Sequence, residues 1–140
     1  MSDGNDFLRS MSIATSGLRA QAGRMRVISE NIANADSTAK TAGGDPYRRK
    51  VPTFSSELDR TLDSRVVTLG KIKPDTSDFR VKYEPGNPAA DTNGNVKYPN
   101  VNSLVEMTDM REAQRSYEAN LNIISATRRM IQRTLDILKA

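Results

Sequence analysis

The chain has 140 residues, 36% of them apolar and only 5% aromatic, with no tryptophan, which suits one domain, or one with an appendage, and no large rigid core. It holds neither cysteine nor histidine, which excludes disulfides, thiolate metal sites, cysteine nucleophiles, histidine bases, Ser-His-Asp triads and the usual histidine-bearing zinc sites. The net charge of +4 is spread as +1 through Asn34, +2 from Ala35 to Asn102 and +1 beyond, so no basic face forms and nucleic acid is not an expected partner.

Met1–Asp6 reads as a flexible, polar and acidic start, without the basic head and apolar run of a secretory signal; Asp3, Asn5 or Asp6 offers a cap. A helix is expected from Phe7 to Asn34. Met11, Leu18, Met25 and Ile32 fall on one seven-residue step, and Leu8, Thr15, Ala22 and Ser29 on its companion. Gly17 and Gly23 each cost such a helix about 1 kcal/mol relative to alanine. With Ala14, Ala20 and Ala22 nearby, the pair implies the close approach of another helix. Asn34-Ala35-Asp36-Ser37-Thr38 ends it with cap and turn formers.

Residues 35–46 read as a loop, 47–54 as a loose strand interrupted by Pro52, and 55–62 as a short helical turn. The Arg48-Arg49-Lys50 triplet reads as a solvated strand end. Residues 65–72 carry Val66, Val67, Leu69 and Ile72, and residues 79–83 alternate, which predicts a short hairpin or meander with Lys73-Pro74-Asp75 at its turn. From Glu84 to Asn102, three prolines, two glycines and several Asn and Asp predict an extended loop.

A second helix is expected from Ser103 to Leu138, opened by the Ser103/Glu106 capping-box spacing. Met110, Tyr117, Ile124, Ile131 and Leu138 share a seven-residue step. Met107, Gln114, Leu121, Arg128 and Leu135 form the companion step, with two polar breaks. At about 1.5 Å per residue the helix is a rod of about 54 Å, longer than a domain this small can cover. No run approaches a membrane span. The expected fold is mainly α: long N- and C-terminal helices packed as an antiparallel coiled coil, around a small β- and loop-rich middle. The divisions are 1–34, 35–102 and 103–140. The apolar steps, including Leu8, Leu18, Leu121 and Leu138, are the candidate subunit interface, with Arg128 and Arg133 as candidate polar contacts between subunits.

Chemistry is sparse. The carboxylates are scattered among bases. Asp91, Asn93 and Asn95 surround Gly94, but the glycine is misplaced for a calcium loop and the next acid is Glu106. Gly43-Gly44 lacks the Gly-Lys-Ser/Thr of a phosphate loop. No catalytic, cofactor-binding or metal-ligating residue is assigned, and an enzyme is not expected.

Ser29–Thr38, carrying Asn31-Ile32-Ala33-Asn34, resembles the motif that ends the N-terminal helix of bacterial flagellar rod and hook proteins. Pro46–Lys50, Tyr83–Asp91, Tyr98-Pro99-Asn100-Val101-Asn102, Glu106-Met107, Asp109-Met110 and Arg115–Asn120 (with Tyr117) resemble the proximal-rod members of that axial family. The chain departs from the pattern at Glu30, where a small residue is usual, at Asn87, where histidine is common, and at Asn95, where an aromatic is common. The resemblance implies a structural subunit of the flagellar basal-body rod, polymerising through its terminal helices into the periplasmic shaft that transmits torque. It implies further copies of the chain, other proximal and distal rod proteins and the adaptor at the MS ring and export gate as partners. It also implies passage through the flagellar type III export apparatus without a cleaved signal. The alternative is a soluble coiled-coil adaptor binding a partner helix, which would use the same heptads but not the long Pro/Asn loop.

Overall fold

The first helix extends further toward the N-terminus than its apolar step. The computed structural model describes residues 2–140, with side chains from Gly4 onward. In it α1 runs Ser2–Ala33, so residues 2–6, expected to be flexible, are helical. Met1 and the candidate cap side chain of Asp3 lie outside what is described. Six short strands follow: β1 (Lys50–Val51), β2 (Phe54–Asp59), β3 (Ser64–Leu69), β4 (Lys73–Pro74), β5 (Arg80–Tyr83) and β6 (Asn95–Tyr98). The closing helix α2 spans Ser103–Lys139. Asn102 caps it: its Oδ1 accepts from the N–H groups of Leu104 at 3.1 Å and Val105 at 3.4 Å.

The expectation of a mainly α chain packed as a coiled coil is corrected. Helices hold 49% of the chain, and the middle forms three antiparallel two-stranded sheets, an α+β architecture with a helix at each end. The sheets form because each strand finds a partner in a stretch expected to be turn or loop. β3 pairs back onto β2, Phe54 facing Leu69 and Asp59 facing Ser64, where a helical turn was expected. β5 pairs forward onto β6 in the expected loop, Arg80 facing Tyr98. β4 pairs with β1, Lys50 facing Pro74. The expected hairpin or meander does not form: 65–72 and 79–83 pair with other strands and not with each other.

The chain divides into two compact units. One comprises the residues up to Met25, Thr53–Lys71 and Glu112–Ala140. Here the two helix segments run antiparallel, with Gly17 against Asn120 and Arg24 paired with Glu112 at 3.5 Å. Ala14, Ala20, Ala113 and Thr127 are buried. A Cβ on Gly17 would lie 2.8 Å from Asn120 Nδ2, so that glycine admits the helix the sequence implied. Gly23 instead admits a strand: its Cβ would lie 2.7 Å from Leu69 Cδ2. The β2–β3 hairpin is pinned at its turn by Arg9, whose Nε donates to the Leu62 carbonyl at 2.6 Å.

The other unit comprises Arg26–Pro52 and Ile72–Arg111. Its small core joins Ala89, Val96 and Tyr98, with Ala39 and Ala90 against them; Val27, Ile28 and Val101 are also buried. The 91–94 turn leading into β6 is built by Asp91, whose Oδ1 accepts from the N–H groups of Asn93 and Asn95. Gly94 completes it at φ 80°, where a Cβ would lie 2.8 Å from Tyr83 Cε2. The sequence's faint calcium loop is therefore an Asx turn in a tight connection.

Candidate functional site

In the second unit Asn31 is 1% exposed, near the end of α1, and all its side-chain hydrogen-bonding capacity is used. Its Nδ2 donates to the Lys50 carbonyl at 2.8 Å and to Glu106 Oε2 at 3.1 Å. Its Oδ1 accepts from the Lys50 N–H at 2.9 Å and the Tyr47 hydroxyl at 2.8 Å. The amide thus bonds β1 as another strand residue would, and ties it to the first turn of α2.

Glu106, also 1% exposed, takes its second charge-assisted bond from Arg49 Nε at 2.5 Å. Arg49 reaches Asp75 at 3.3 Å and Asp109 at 3.9 Å. Its N–H donates to Asn100 Oδ1, while Asn100 Nδ2 donates to the Asp75 carbonyl and to both oxygens of Ser77. The Arg48-Arg49-Lys50 triplet, read from sequence as a solvated end, is therefore the middle of a clasp. A buried carboxylate is tolerable only when paired and hydrogen-bonded, and the triplet supplies the pairing. Lys50 Nζ is also paired with Glu30, the residue that departs from the family motif.

The electrostatics follow. Burial, with Glu30 and Glu106 adding to it, pushes the Tyr47 phenol up to about 12. Burial pulls the Arg49 guanidinium down, but its bonds to Glu106 and Asp75 outweigh that and raise it. The Ser77 backbone N–H and hydroxyl, with Arg49 behind them, hold Asp75 below the ordinary carboxylate range. Every group here is occupied by another group of the chain. The arrangement locks loops to helix ends.

The other motif residues serve local structure. Asn34 Nδ2 donates back to the Glu30 carbonyl, Ile32 is half-buried and Ala33 is exposed at the helix end. Tyr98 donates to Glu84 at 2.9 Å, and the Pro99 carbonyl accepts from Arg80. Asn120 Nδ2 donates to the Ser116 carbonyl beside Gly17, and Tyr117 is half-buried.

The helix seams separate in two. Met11, Leu18, Met25, Ile32, Met110, Tyr117, Ile124 and Ile131 are half-buried. Leu8, Met107, Leu121, Arg128, Arg133, Leu135 and Leu138 are exposed. On α2 the inward companion positions are Glu106 in the second unit and Ala113, Asn120 and Thr127 in the first, small or polar and one residue before the predicted set. An apolar line that the sequence analysis missed lies in the first unit: Ile123, Met130 and Ile137, again seven apart, are 46%, 48% and 75% exposed. The spacing itself was the available signal. In the same unit, Phe7, Leu8, Ile131 and Leu135 line an apolar groove.

Residues 92–137 match the family model described as flagellar basal body rod FlgEFG protein C-terminal, and residues 11–39 that of the flagella basal body rod protein. The chain is 59% identical over 128 residues to the flagellar basal-body rod protein FlgC of Agrobacterium fabrum, covering 91% of this chain and 92% of that protein. It is 39% identical over 145 residues to FlgC of Bacillus subtilis, covering 93% and 97%. Against FlgC of Salmonella typhimurium it is 37% identical over 131 residues, covering 94% and 97%.

Proposed function

This chain belongs to the FlgC family of flagellar basal-body rod proteins, and from that premise we propose that it is a structural subunit of the basal-body rod. Its role is structural, not catalytic. The observation that carries the reading physically is the row of Ile123, Met130 and Ile137 on the last part of α2, left in water by the single chain, with Leu121 and Leu135 exposed on the opposite side of the helix and Leu138 exposed near its end. Exposed apolar surface of this kind marks an interaction site, and each square ångström removed from water contributes roughly 25 cal/mol. Copies repeating one contact along an axis bury the row at every step and share a torsional load among many small interfaces.

In this reading the terminal segments 1–34 and 103–140 make the contacts between copies, and the middle segment 35–102 adds to them. The exposed Arg128 and Arg133 meet acids of neighbouring subunits. The partners are further copies and the adjoining rod proteins, including the adaptor at the MS ring and export gate. The chain reaches its periplasmic place through the flagellar type III apparatus without a cleaved signal. No helix among the described residues is long and apolar enough to cross a membrane.

The test is to supply the chain, epitope-tagged, to cells lacking their own copy of the gene and to isolate basal bodies. Recovery of the tag in the rod, with motility restored, is the expected result. A tag found only in the soluble fraction, with motility restored, would sink the reading.

A further inference from the structure

Two strands are exposed along almost their whole length, and both have an open edge: β2 in one unit, where only Asp59 is half-buried, and β5 in the other. In an antiparallel ladder, residues alternate between exchanging backbone bonds with their partner and pointing them away. The Gly70 N–H donates to the Thr53 carbonyl at 2.6 Å, which fixes that alternation. Ser55, Glu57 and Asp59 turn their backbone groups toward β3, and Phe54, Ser56 and Leu58 turn theirs outward. The Val67 N–H on the opposite edge, bonded to Ser16 Oγ, obeys the same alternation. On β5 the Glu84 N–H donates to the Gly94 carbonyl at 2.8 Å, so Val81 and Tyr83 are the outward residues. Among the described residues, nothing bonds the outward backbone groups of these five.

We propose that the β2 edge of one copy pairs antiparallel with the β5 edge of the next. The inference rests on the rod reading above. The two edges differ in charge: β2 carries Glu57 and Asp59, and β5 carries Arg80 and Lys82. Like edges therefore repel and unlike edges attract. Outward groups must also face outward groups. Setting Ser56 opposite Tyr83 and Leu58 opposite Val81 satisfies both demands. It places Glu57 against Lys82 and Asp59 against Arg80 on one face, and on the other it covers Leu58 with Val81, 57% and 59% exposed in the single chain. Sliding by two residues one way sets Glu57 against Glu84; sliding the other way keeps one opposed charge pair. Glu57 has no ion pair among the described residues, and Lys82 is an exposed side chain over the Tyr98 ring. Arg80 already bonds the Ala35 and Pro99 carbonyls, so Glu57–Lys82 is the leading pair. A contact between two different edges repeats head to tail, and where its rotation does not close on itself it builds an open helical assembly, as a rod requires.

Because the chain has no cysteine, an engineered pair supplies its only thiols. Leu58→Cys and Val81→Cys in one chain, assembled in cells and oxidised in isolated basal bodies, should give a ladder of disulfide-linked dimers, trimers and longer products. Directly opposed residues of this kind lie about 5.5 Å apart at Cα, within disulfide range. Either single variant should give no ladder. Adding Glu57→Lys should abolish the ladder, and adding Lys82→Glu as well should restore it. Chain present in basal bodies without a ladder, or a ladder indifferent to Glu57→Lys, overturns the pairing. Absence of the unsubstituted chain from basal bodies overturns the rod reading, and this pairing with it.

Discussion

Asn31 on α1 and Glu106 on α2, 75 residues apart in sequence, meet at 3.1 Å with both side chains buried. The contact decides what the rest of the clasp must be. A carboxylate that buried needs cationic compensation, and Arg49 reaches it from just before the strand that Asn31 holds. The helix ends, β1 and the 75–77 turn are thereby locked by side chains rather than by a large apolar core.

Asn31→Asp should destabilise the chain by about 3 kcal/mol or more. It sets a second carboxylate beside Glu106 and removes both amide donors, leaving buried acceptors unmatched. Glu106→Gln keeps the shape but leaves Arg49 with only Asp75 and Asp109, and should cost less than Asn31→Asp. Urea unfolding followed by circular dichroism measures both. Equal stability of Asn31→Asp and the unsubstituted chain would show that the clasp does not hold the fold.

The Tyr47 phenol provides a pH readout. Its folded-state value, about 12, lies above the ordinary 10.0, so the folded chain holds this proton longer than the unfolded one. The stability linked to it is fully present below pH 10 and is lost as pH rises toward 12. Absorbance at the tyrosinate band should show Tyr47 titrating last of the four tyrosines, together with loss of helix, after Tyr98, which its hydrogen bond to Glu84 raises by less. Tyr47→Phe should remove that late step and cost about 1 kcal/mol at neutral pH. A late step surviving in Tyr47→Phe would assign it elsewhere.

The sequence carried the Met110–Ile131 step because its repeat is local and apolar. It could not carry the true companion line, because Glu106, Ala113, Asn120 and Thr127 look like solvent-facing residues until distant partners are known. Glu106 is inward only because Arg49 and Asn31 reach it, 57 and 75 residues away in sequence. Strand pairing failed for a related reason. Ser55 and Ser56 weakened the strand signal of β2, yet Ser55 and Thr68 hydroxyls bond across the pair at 2.8 Å. Gly17 was legible, since two glycines among small residues in a helix have few purposes besides close approach.

Gly17→Ala and Gly23→Ala should separate. Each gains about 1 kcal/mol of helix propensity. At Gly17 the new methyl meets Asn120, whose short side chain is tied to the Ser116 carbonyl, and the crowding should exceed the gain by about 1 kcal/mol. At Gly23 it meets a methyl at the tip of Leu69, which can rotate away, so the change should be near neutral. Thermal unfolding of the two variants decides the order, and a stabilised Gly17→Ala would mean that the helices separate there at little cost.

Two aspartates on the same helix distinguish folding from assembly. Ile124 is half-buried in its unit, so Ile124→Asp puts a carboxylate into partly apolar surroundings and should cost about 3 kcal/mol in the isolated chain. Ile124→Leu, which keeps volume and polarity, should cost under about 1.5 kcal/mol. Met130 lies on the uncovered line with Ile123 and Ile137, so Met130→Asp should change the isolated chain by less than about 1 kcal/mol. In the rod the order reverses in meaning: Met130→Asp buries a charge at every repeated contact and should prevent incorporation although the subunit folds. The measurements are unfolding of the purified chain and recovery of basal bodies from cells carrying each variant. Complete rods built from Met130→Asp would show that the Ile123–Met130–Ile137 line faces water in the assembly, leaving the opposite row of Leu121 and Leu135 to make the contact.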